Sequence, residues 1–389
     1  MHYMLIAGEA SGDLHGAALM EALAATDPDA AFNFIGGDAM AAVARKKPII
    51  HISRMAFMGF SAVVRNLGTI RANLSTARDA VRLMHPDALI LIDYPSFNLK
   101  VAEYAHGLGV PVYYYISPKL WAWKKWRIRL IKKYVRRVFA ILPFEPEFYV
   151  ANGAEAVYVG NPSVGEIDKL RRRTASREEF LARHNLRDRP LIALMPGSRL
   201  AEIRSNLPVM LGAVAEFPQY RPVIVAAPSV PPGIYAAAGA RGVPLVKEDH
   251  AAFILAHCRA AVVTSGTATL ETALMGVPQV AVYRANGSRL SYELMSRILD
   301  VKFVTLPNLI ANRPIIPELL LHECTSRAVA DHLRPLLREG SPEREAQLAG
   351  YAEMRAILGD DDAAATAAEL IFADLTVGEE VYKKFRIKN

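Results

Sequence analysis

Short runs of apolar and β-branched residues alternate along most of the chain with stretches whose apolar positions recur at helical spacing. That alternation predicts an α/β protein built on parallel sheets. The spacing predicts strands at Tyr3–Ala7, Asn33–Ile35, Ala88–Ile92, Val110–Tyr115 and Val138–Leu142, with helices at Ser61–Met84 and Asn98–Gly107. A second series follows Pro190, with strands at Leu191–Met195, Val223–Ala227, Ala260–Thr264 and Gln279–Tyr283. The polar stretch 160–189 between the series is the predicted boundary, and the chain after Ser341 reads as helical. Two α/β series of similar size imply two Rossmann-like lobes, spanning 1–165 and 166–340. Lobes of this kind bind ligands at the carboxyl ends of their strands, which makes the loops after the strands the place to look for chemistry.

Four of those loops carry candidates. Gly8-Glu9-Ala10-Ser11-Gly12-Asp13 joins the first strand to a helix. Its glycines admit a close ligand, but Glu9 and Asp13 would repel a pyrophosphate, so hydroxyls or an acceptor substrate fit better. A tight turn with Asp13 as a helix cap fits the same residues. Asp93 ends the apolar run Ala88–Ile92, beside Tyr94 and Phe97, and a shielded carboxylate there suits a general base. A capping aspartate suits the position as well.

Pro196-Gly197-Ser198-Arg199 offers a close backbone, a hydroxyl and a guanidinium fork to a phosphate, without the lysine of a Walker loop. The segment from Thr264 to Glu271 opens a helix with Ser265, Gly266 and Thr267, and Glu271 lies a turn further in. A helix start suits a diphosphate, and a carboxylate there can accept from a ribose diol, although a capped helix with an acidic first turn reads the same way. Loops three and four together point to a nucleoside diphosphate on the second lobe.

Charge sharpens the picture at one place. The formal net charge is +7, and eight basic residues with no acid lie between Lys124 and Arg137. Without them the chain is close to neutral. Ile128, Ile131, Val135 and Val138 recur there at helical spacing, directly after Trp121, Trp123 and Trp126. A cationic helix flanked by tryptophans, with Lys124, Lys125 and Arg127 at its start, suits an anionic membrane surface. Nucleic acid is disfavoured, since no groove-reading module is present and the rest of the chain is not basic.

Two isolated cysteines make no disulfide framework, and no paired-histidine spacing indicates a metal or other cofactor. The first residues carry no basic leader with an apolar core, which disfavours a secretory signal. The longest charge-free apolar run, Pro222–Ala240, holds four prolines and makes a poor spanning helix.

In their shared order these motifs resemble the lipid-A-disaccharide synthase family. The resemblance runs from Gly8-Glu9-Ala10-Ser11-Gly12-Asp13 to about Glu323. It takes in Met58-Gly59, Ile92–Asn98, Ser117-Pro118, Trp121-Ala122-Trp123 and Leu142-Pro143-Phe144-Glu145. It continues through Pro196–Arg199, Ser265–Glu271, Tyr283-Arg284 and Leu306-Pro307-Asn308-Leu309. The resemblance implies a glycosyltransferase B fold, two lobes with a cleft between them, and C-terminal helices over 341–389 packing back on the first lobe. It implies metal-independent inverting transfer from UDP-2,3-diacylglucosamine to 2,3-diacylglucosamine 1-phosphate (lipid X), at the cytoplasmic face of the inner membrane of Gram-negative bacteria.

Asp93 is then the expected base, and Glu9, Ser11, Gly12 and Asn98 the acceptor side. Gly197, Ser198, Arg199, Ser265, Gly266, Thr267, Glu271, Tyr283 and Asn308 are the expected nucleotide contacts. A homodimer stays open, as does a UDP-sugar epimerase or a transferase with a soluble acceptor on the same fold. The chain departs from the family pattern at Asn161, where histidine is common, and at Lys119, where a small residue is usual.

Overall fold

The computed structural model describes residues 1–55, 66–122, 124–173, 175–228, 230–247, 251–284 and 302–377. The expectations for Trp123, for Met58-Gly59 and for the start of the Ser61–Met84 helix lie outside them. The chain forms two compact units, Met1–Pro162 with Asp360–Asn389, and Ser163–Gly359.

The first unit runs β1 (His2–Ala7), α1 (Ala10–Thr26), β2 (Ala31–Ile35), α2 (Asp38–Ala44), α3 (Leu67–Met84), β3 (Ala88–Ile92), α4 (Pro95–Gly107) and β4 (Val112–Tyr115). It continues with α5 (Ile128–Tyr134), β5 (Arg137–Ala140), α6 (Glu145–Ala151) and β6 (Ala156–Tyr158). Its parallel sheet has the order β2-β1-β3-β4-β5-β6. Every residue of β3, β4 and β5 is buried, as expected of parallel strands covered by helices on both faces. The chain reverses its direction of travel across this sheet between β1 and β3.

The second unit holds α7 (Pro162–Arg171, starting at the boundary), α8 (Arg177–Arg183), β7 (Leu191–Met195), α9 (Leu200–Val214), β8 (Arg221–Val225), α10 (Pro232–Ala237) and β9 (Leu245–Val246). After these come α11 (Ala251–Leu255), β10 (Cys258–Thr264), α12 (Thr267–Leu274), β11 (Gln279–Tyr283), α13 (Leu306–Ala311), β12 (Glu318–Leu320), α14 (Ser326–Leu336) and α15 (Pro342–Leu358). Its parallel order, β12-β11-β10-β7-β8-β9, reverses between β7 and β10. The described strands start and end within two residues of the nine predicted ones, while β6, β9 and β12, each two or three residues long at a sheet edge, were not predicted.

The last helix, α16 (Ala363–Thr376), belongs to the first unit, where Ala367, Ala368 and Ile371 join Leu19, Met20 and Leu23 in one core. A buried ion cluster ties it down. The Asp374 carboxylate accepts from Tyr113 Oη (2.7 Å), from Arg136 Nε (2.6 Å) and from Arg137 Nη2 (3.2 Å). Burial alone would push this carboxyl up, but the bonds from Arg136 and Tyr113 and the Arg137 charge outweigh it and hold it below the usual aspartate range. Two of the eight basic residues of the cationic segment, exposed Arg136 and buried Arg137, are therefore engaged within the fold. The predicted cationic helix is also shorter than its periodicity suggested, because Val138 lies in β5 and α5 ends at Tyr134.

Removing one partner of a buried ion cluster strands the others, typically at a cost of ~3–5 kcal/mol. Asp374→Ala should lower the unfolding free energy by that amount in denaturant titration, and a loss under ~1 kcal/mol would show the cluster to be idle. Because the folded carboxyl is held low, its contribution is complete above the ordinary aspartate range and disappears as pH falls through the folded value.

Candidate active site

Both candidate loops of the first unit follow β1 and β3, so they flank the point where strand order reverses. The β3 loop is a tight turn. Asp93 (φ 43°) and Tyr94 (φ 49°) are both left-handed, and Pro95 then starts α4. The Asp93 carbonyl accepts from Asn98 Nδ2 (2.7 Å) and Tyr114 Oη (2.5 Å), and Asn98 Nδ2 also reaches the Ile92 carbonyl (3.2 Å). Tyr94 lays its ring over Gly8, where a Cβ would come within 2.3 Å of it, and donates its hydroxyl to the Met55 carbonyl at 2.8 Å. Gly8 must be glycine because the ring occupies the side-chain position.

The Asp93 side chain is exposed, yet the protein around it penalises its charge. Burial pushes the carboxyl above the usual aspartate range, and the Lys119 charge and the Tyr94 N–H oppose this only in part. An accessible carboxylate with raised basicity is the equipment of a general base. Glu9 is half-buried, and its charge adds to burial in raising the Tyr94 hydroxyl. Ser11 is exposed on the first turn of α1.

Two expected acceptor contacts are placed differently. Asn98 is fully buried and holds the Asp93 turn from beneath, so it acts on the site only through that turn. Gly12 is buried where α1 crosses the sheet, and a Cβ on it would lie 3.3 Å from Ala7 Cβ. Asp13 does not cap its own helix; its carboxylate accepts from Gly37, Ala39 and Met40 N–H groups at the start of α2.

The tryptophan-rich segment turns partly inward. Glu145, buried at the start of α6, accepts from Trp121 Nε1 (3.0 Å), Ser117 Oγ (3.0 Å) and the Leu142 N–H (3.3 Å). Trp121 also meets Phe144 edge-on at 5.0 Å. A half-buried indole needs an acceptor for its N–H, and this one has it, which removes Trp121 from the expected membrane-facing set. Arg127 leaves that set too: it is half-buried, with Nη2 donating to Ser96 Oγ at 2.9 Å in the first turn of α4. Trp126 is 59% exposed, and Lys124 and Lys125 are exposed beside it.

In the second unit the loops after β7 and β10 flank the other reversal point. Gly197 (φ 106°) turns the chain into α9, and a Cβ there would meet Glu202 Oε2 at 2.5 Å. Glu202 in turn accepts from the Arg199 N–H (3.3 Å) and from Arg199 Nη1 (2.8 Å). Ser198 and Arg199 are exposed at this helix start, and so are Gly266 and Thr267 at the start of α12, with Ser265 and Glu271 half-buried.

Asn206, fully buried in α9, donates to Thr264 Oγ1 (3.0 Å) and accepts from the Arg284 N–H (2.7 Å). It thereby fixes the ends of β10 and β11, including half-buried Tyr283, and no sequence signal singled it out. Asn308 corrects an expectation. Its Oδ1 accepts from the Ile315 and Ile316 N–H groups and its Nδ2 donates to the Ile316 carbonyl and to Glu318, so its side-chain amide is fully used within the protein and has no bond left for a nucleotide. Among the described residues no group of His, Cys, Asp or Glu could hold a metal ion, and no helix is long and apolar enough to cross a membrane.

Two parallel α/β units, each with candidate loops at its reversal point, define the glycosyltransferase B class of fold. Solved structures agree on the fold. UDP-GlcNAc 2-epimerase from Neisseria meningitidis, bound to UDP-GlcNAc, superposes with TM-score 0.66 at 12% identity, over 97% of this chain and 100% of that one. The kitacinnamycin glycotransferase superposes with TM-score 0.59 at 14% identity, over 96% and 99%.

Sequence decides the family. Residues 3–368 match the model of lipid-A-disaccharide synthetase. The lipid-A-disaccharide synthase of Myxococcus xanthus is 40% identical over 96% of this chain and 98% of its own length, and that of Acidobacterium capsulatum 38% over 93% of each. The chain belongs to the lipid-A-disaccharide synthase family.

Glu145 gives the first unit a titrating group in a dry place. Burial raises its carboxyl to about 7, against the opposing bonds from Trp121, Ser117 and Leu142. Tryptophan emission should therefore titrate with a midpoint near 7, and Glu145→Gln should abolish that transition; a flat profile in the parent would contradict the assignment. The folded value is raised, so the stability from this group is present below the ordinary glutamate range and is lost as pH climbs to about 7.

Proposed function

We propose that this chain condenses UDP-2,3-diacylglucosamine with 2,3-diacylglucosamine 1-phosphate, releasing UDP and the β-1,6-linked disaccharide 1-phosphate, without a metal. Family membership supports the reaction, and one observation carries the mechanism: Asp93 stands exposed at a reversal point with its carboxyl raised above the usual range. Its carboxylate takes the proton of the acceptor 6-hydroxyl as that oxygen attacks the donor anomeric carbon. The bond from that carbon to the diphosphate breaks, and its electron pair leaves on UDP. Attack opposite the leaving group inverts the centre.

Ser198, Arg199 and the N–H groups at Ser265–Thr267 stabilise the departing charge with dipoles already in place. Arg199 does so from a position fixed by Glu202. Glu271 accepts from the ribose diol, and Tyr283 lies at the end of the neighbouring strand. Glu9 and Ser11 face the acceptor. Trp126, Lys124 and Lys125, with Lys132 and Lys133 exposed on α5, rest on an anionic bilayer surface, and the protein is peripheral on the cytoplasmic face.

The deciding assay supplies both lipid substrates in nonionic micelles with EDTA present. Disaccharide is the expected product; UDP binding without product would favour a soluble acceptor, and 2-epimerisation of the UDP-sugar would favour an epimerase. Asp93→Asn should lower kcat by roughly 10²–10⁴-fold with UDP affinity unchanged, and turnover within tenfold of the parent would remove Asp93 from the base role. The parent rate should fall as pH drops through the raised Asp93 value, giving an acid limb above that of an ordinary aspartate. Glu271→Ala should weaken UDP binding by about 1–3 kcal/mol in calorimetry, the scale of a hydrogen bond lost to leave partners unpaired.

A further inference from the structure

Arg127 is a half-buried cation with an unusual set of neighbours. Its guanidinium is always protonated, and charges withdrawn from water are ordinarily paired. Among the described residues, however, no carboxylate forms an ion pair with Arg127; it donates to the neutral Ser96 hydroxyl at 2.9 Å and lies 5.7 Å from the Trp126 ring centre. Burial disfavours its charge, and the only opposing influence is the Tyr114 hydroxyl. That same hydroxyl donates to the Asp93 carbonyl and feels the charges of both Asp93 and Arg127.

A further cation acts at the base: the Lys119 charge is felt by Asp93. Ser96 is exposed and sits three positions after Asp93. The first unit thus places a hydroxyl and cations beside its candidate base, where an anion would compensate the withdrawn Arg127 charge.

We propose that Arg127 and Ser96, flanked by Lys119, form a phosphate-monoester subsite that takes the 1-phosphate of the acceptor sugar. The inference rests on the reading of Asp93 as the base for the acceptor 6-hydroxyl. Fixing the phosphate at one end of the pyranose ring orients the hydroxyl at the other end toward Asp93. A guanidinium fork suits a phosphate better than an ammonium does, because two N–H groups can meet two oxygens. The same chemistry could be offered by a phospholipid headgroup, and the two sources are separable.

The test compares the parent, Arg127→Gln and Arg127→Lys on the phosphorylated acceptor and on its 1-hydroxyl counterpart, in nonionic micelles, with vesicle binding measured separately. Arg127→Gln should raise the KM for the phosphorylated acceptor roughly ten- to a hundredfold, the range for losing a hydrogen bond to a charged group. Arg127→Lys should recover part of that loss. On the 1-hydroxyl acceptor the parent should lose its advantage and all three proteins should perform alike, with UDP affinity the same throughout.

An equal rise in KM on both acceptors would overturn the subsite and make Arg127 a support for the Asp93 turn. Unchanged kinetics with weakened binding to phosphatidylglycerol vesicles would overturn it in favour of the headgroup. Failure of the parent itself to make disaccharide is a separate result, since it strikes the proposed reaction; in that case isothermal titration of inorganic phosphate into parent and Arg127→Gln still decides whether the anion site exists, and equal binding to both would refute it.

Discussion

Much of the first unit's proposed chemistry depends on one strained turn. Asp93 and Tyr94 are consecutive left-handed residues, and Tyr94 precedes a proline, where the chain ordinarily stays extended. Each such residue costs on the order of 1–3 kcal/mol and persists only when its surroundings hold it. Here they do so from three sides. Asn98 and Tyr114 donate into the Asp93 carbonyl, Gly8 leaves space for the Tyr94 ring, and the Tyr94 hydroxyl reaches Met55. The backbone of Asp93 is thus fixed by groups that leave its carboxylate uncovered. A side chain that must accept a proton in one orientation gains from a backbone with a single conformation.

The second unit solves a related problem with less strain. In the proposed reading its two helix starts present N–H groups to a diphosphate, with Arg199 at the first and Glu202 accepting from the Arg199 N–H. Glu202 holds Arg199 at the start of α9 and occupies the space that only glycine at 197 leaves open. Asn206 then pins the end of β10 and the residue after β11 from inside the same helix. One helix therefore sets the positions of three strand ends, which is an economical way to keep separate loops in register.

How much of this was legible in the chain depends on what each residue's surroundings had to supply. Buried parallel strands announce themselves, because both faces need apolar side chains; Ala88–Ile92 and Leu191–Met195 were readable to the residue. Edge strands such as Leu245–Val246 are too short to leave a pattern. Asp93 was legible as a carboxylate at the end of an apolar run. The direction a side chain takes was not. Trp121 looked like a membrane anchor until its N–H was found on Glu145, 24 residues further on, and Asn308 looked free until four bonds accounted for its amide. Asn206 sits mid-helix among apolar neighbours, where nothing local marks a residue whose partners are on other strands.

The fold by itself does not select the reaction, since an epimerase and a glycotransferase both share it at under 15% identity. Two helix starts bearing hydroxyls and an arginine suit any nucleoside diphosphate and say little about what happens next. Selection has to come from the groups that handle the second substrate, and in the proposed reaction those lie around Asp93. A base that works by accepting a proton from a sugar hydroxyl needs raised basicity, which burial provides, but burial also penalises any cation placed beside it. The Lys119 charge lowers the basicity of Asp93, and burial disfavours the nearby Arg127 charge. Their presence runs against the interest of the base alone. It becomes intelligible if the substrate itself arrives with a negative charge: the phosphate then offsets the cations when the acceptor binds, and the already raised basicity of Asp93 increases further in the complex in which it has a proton to take.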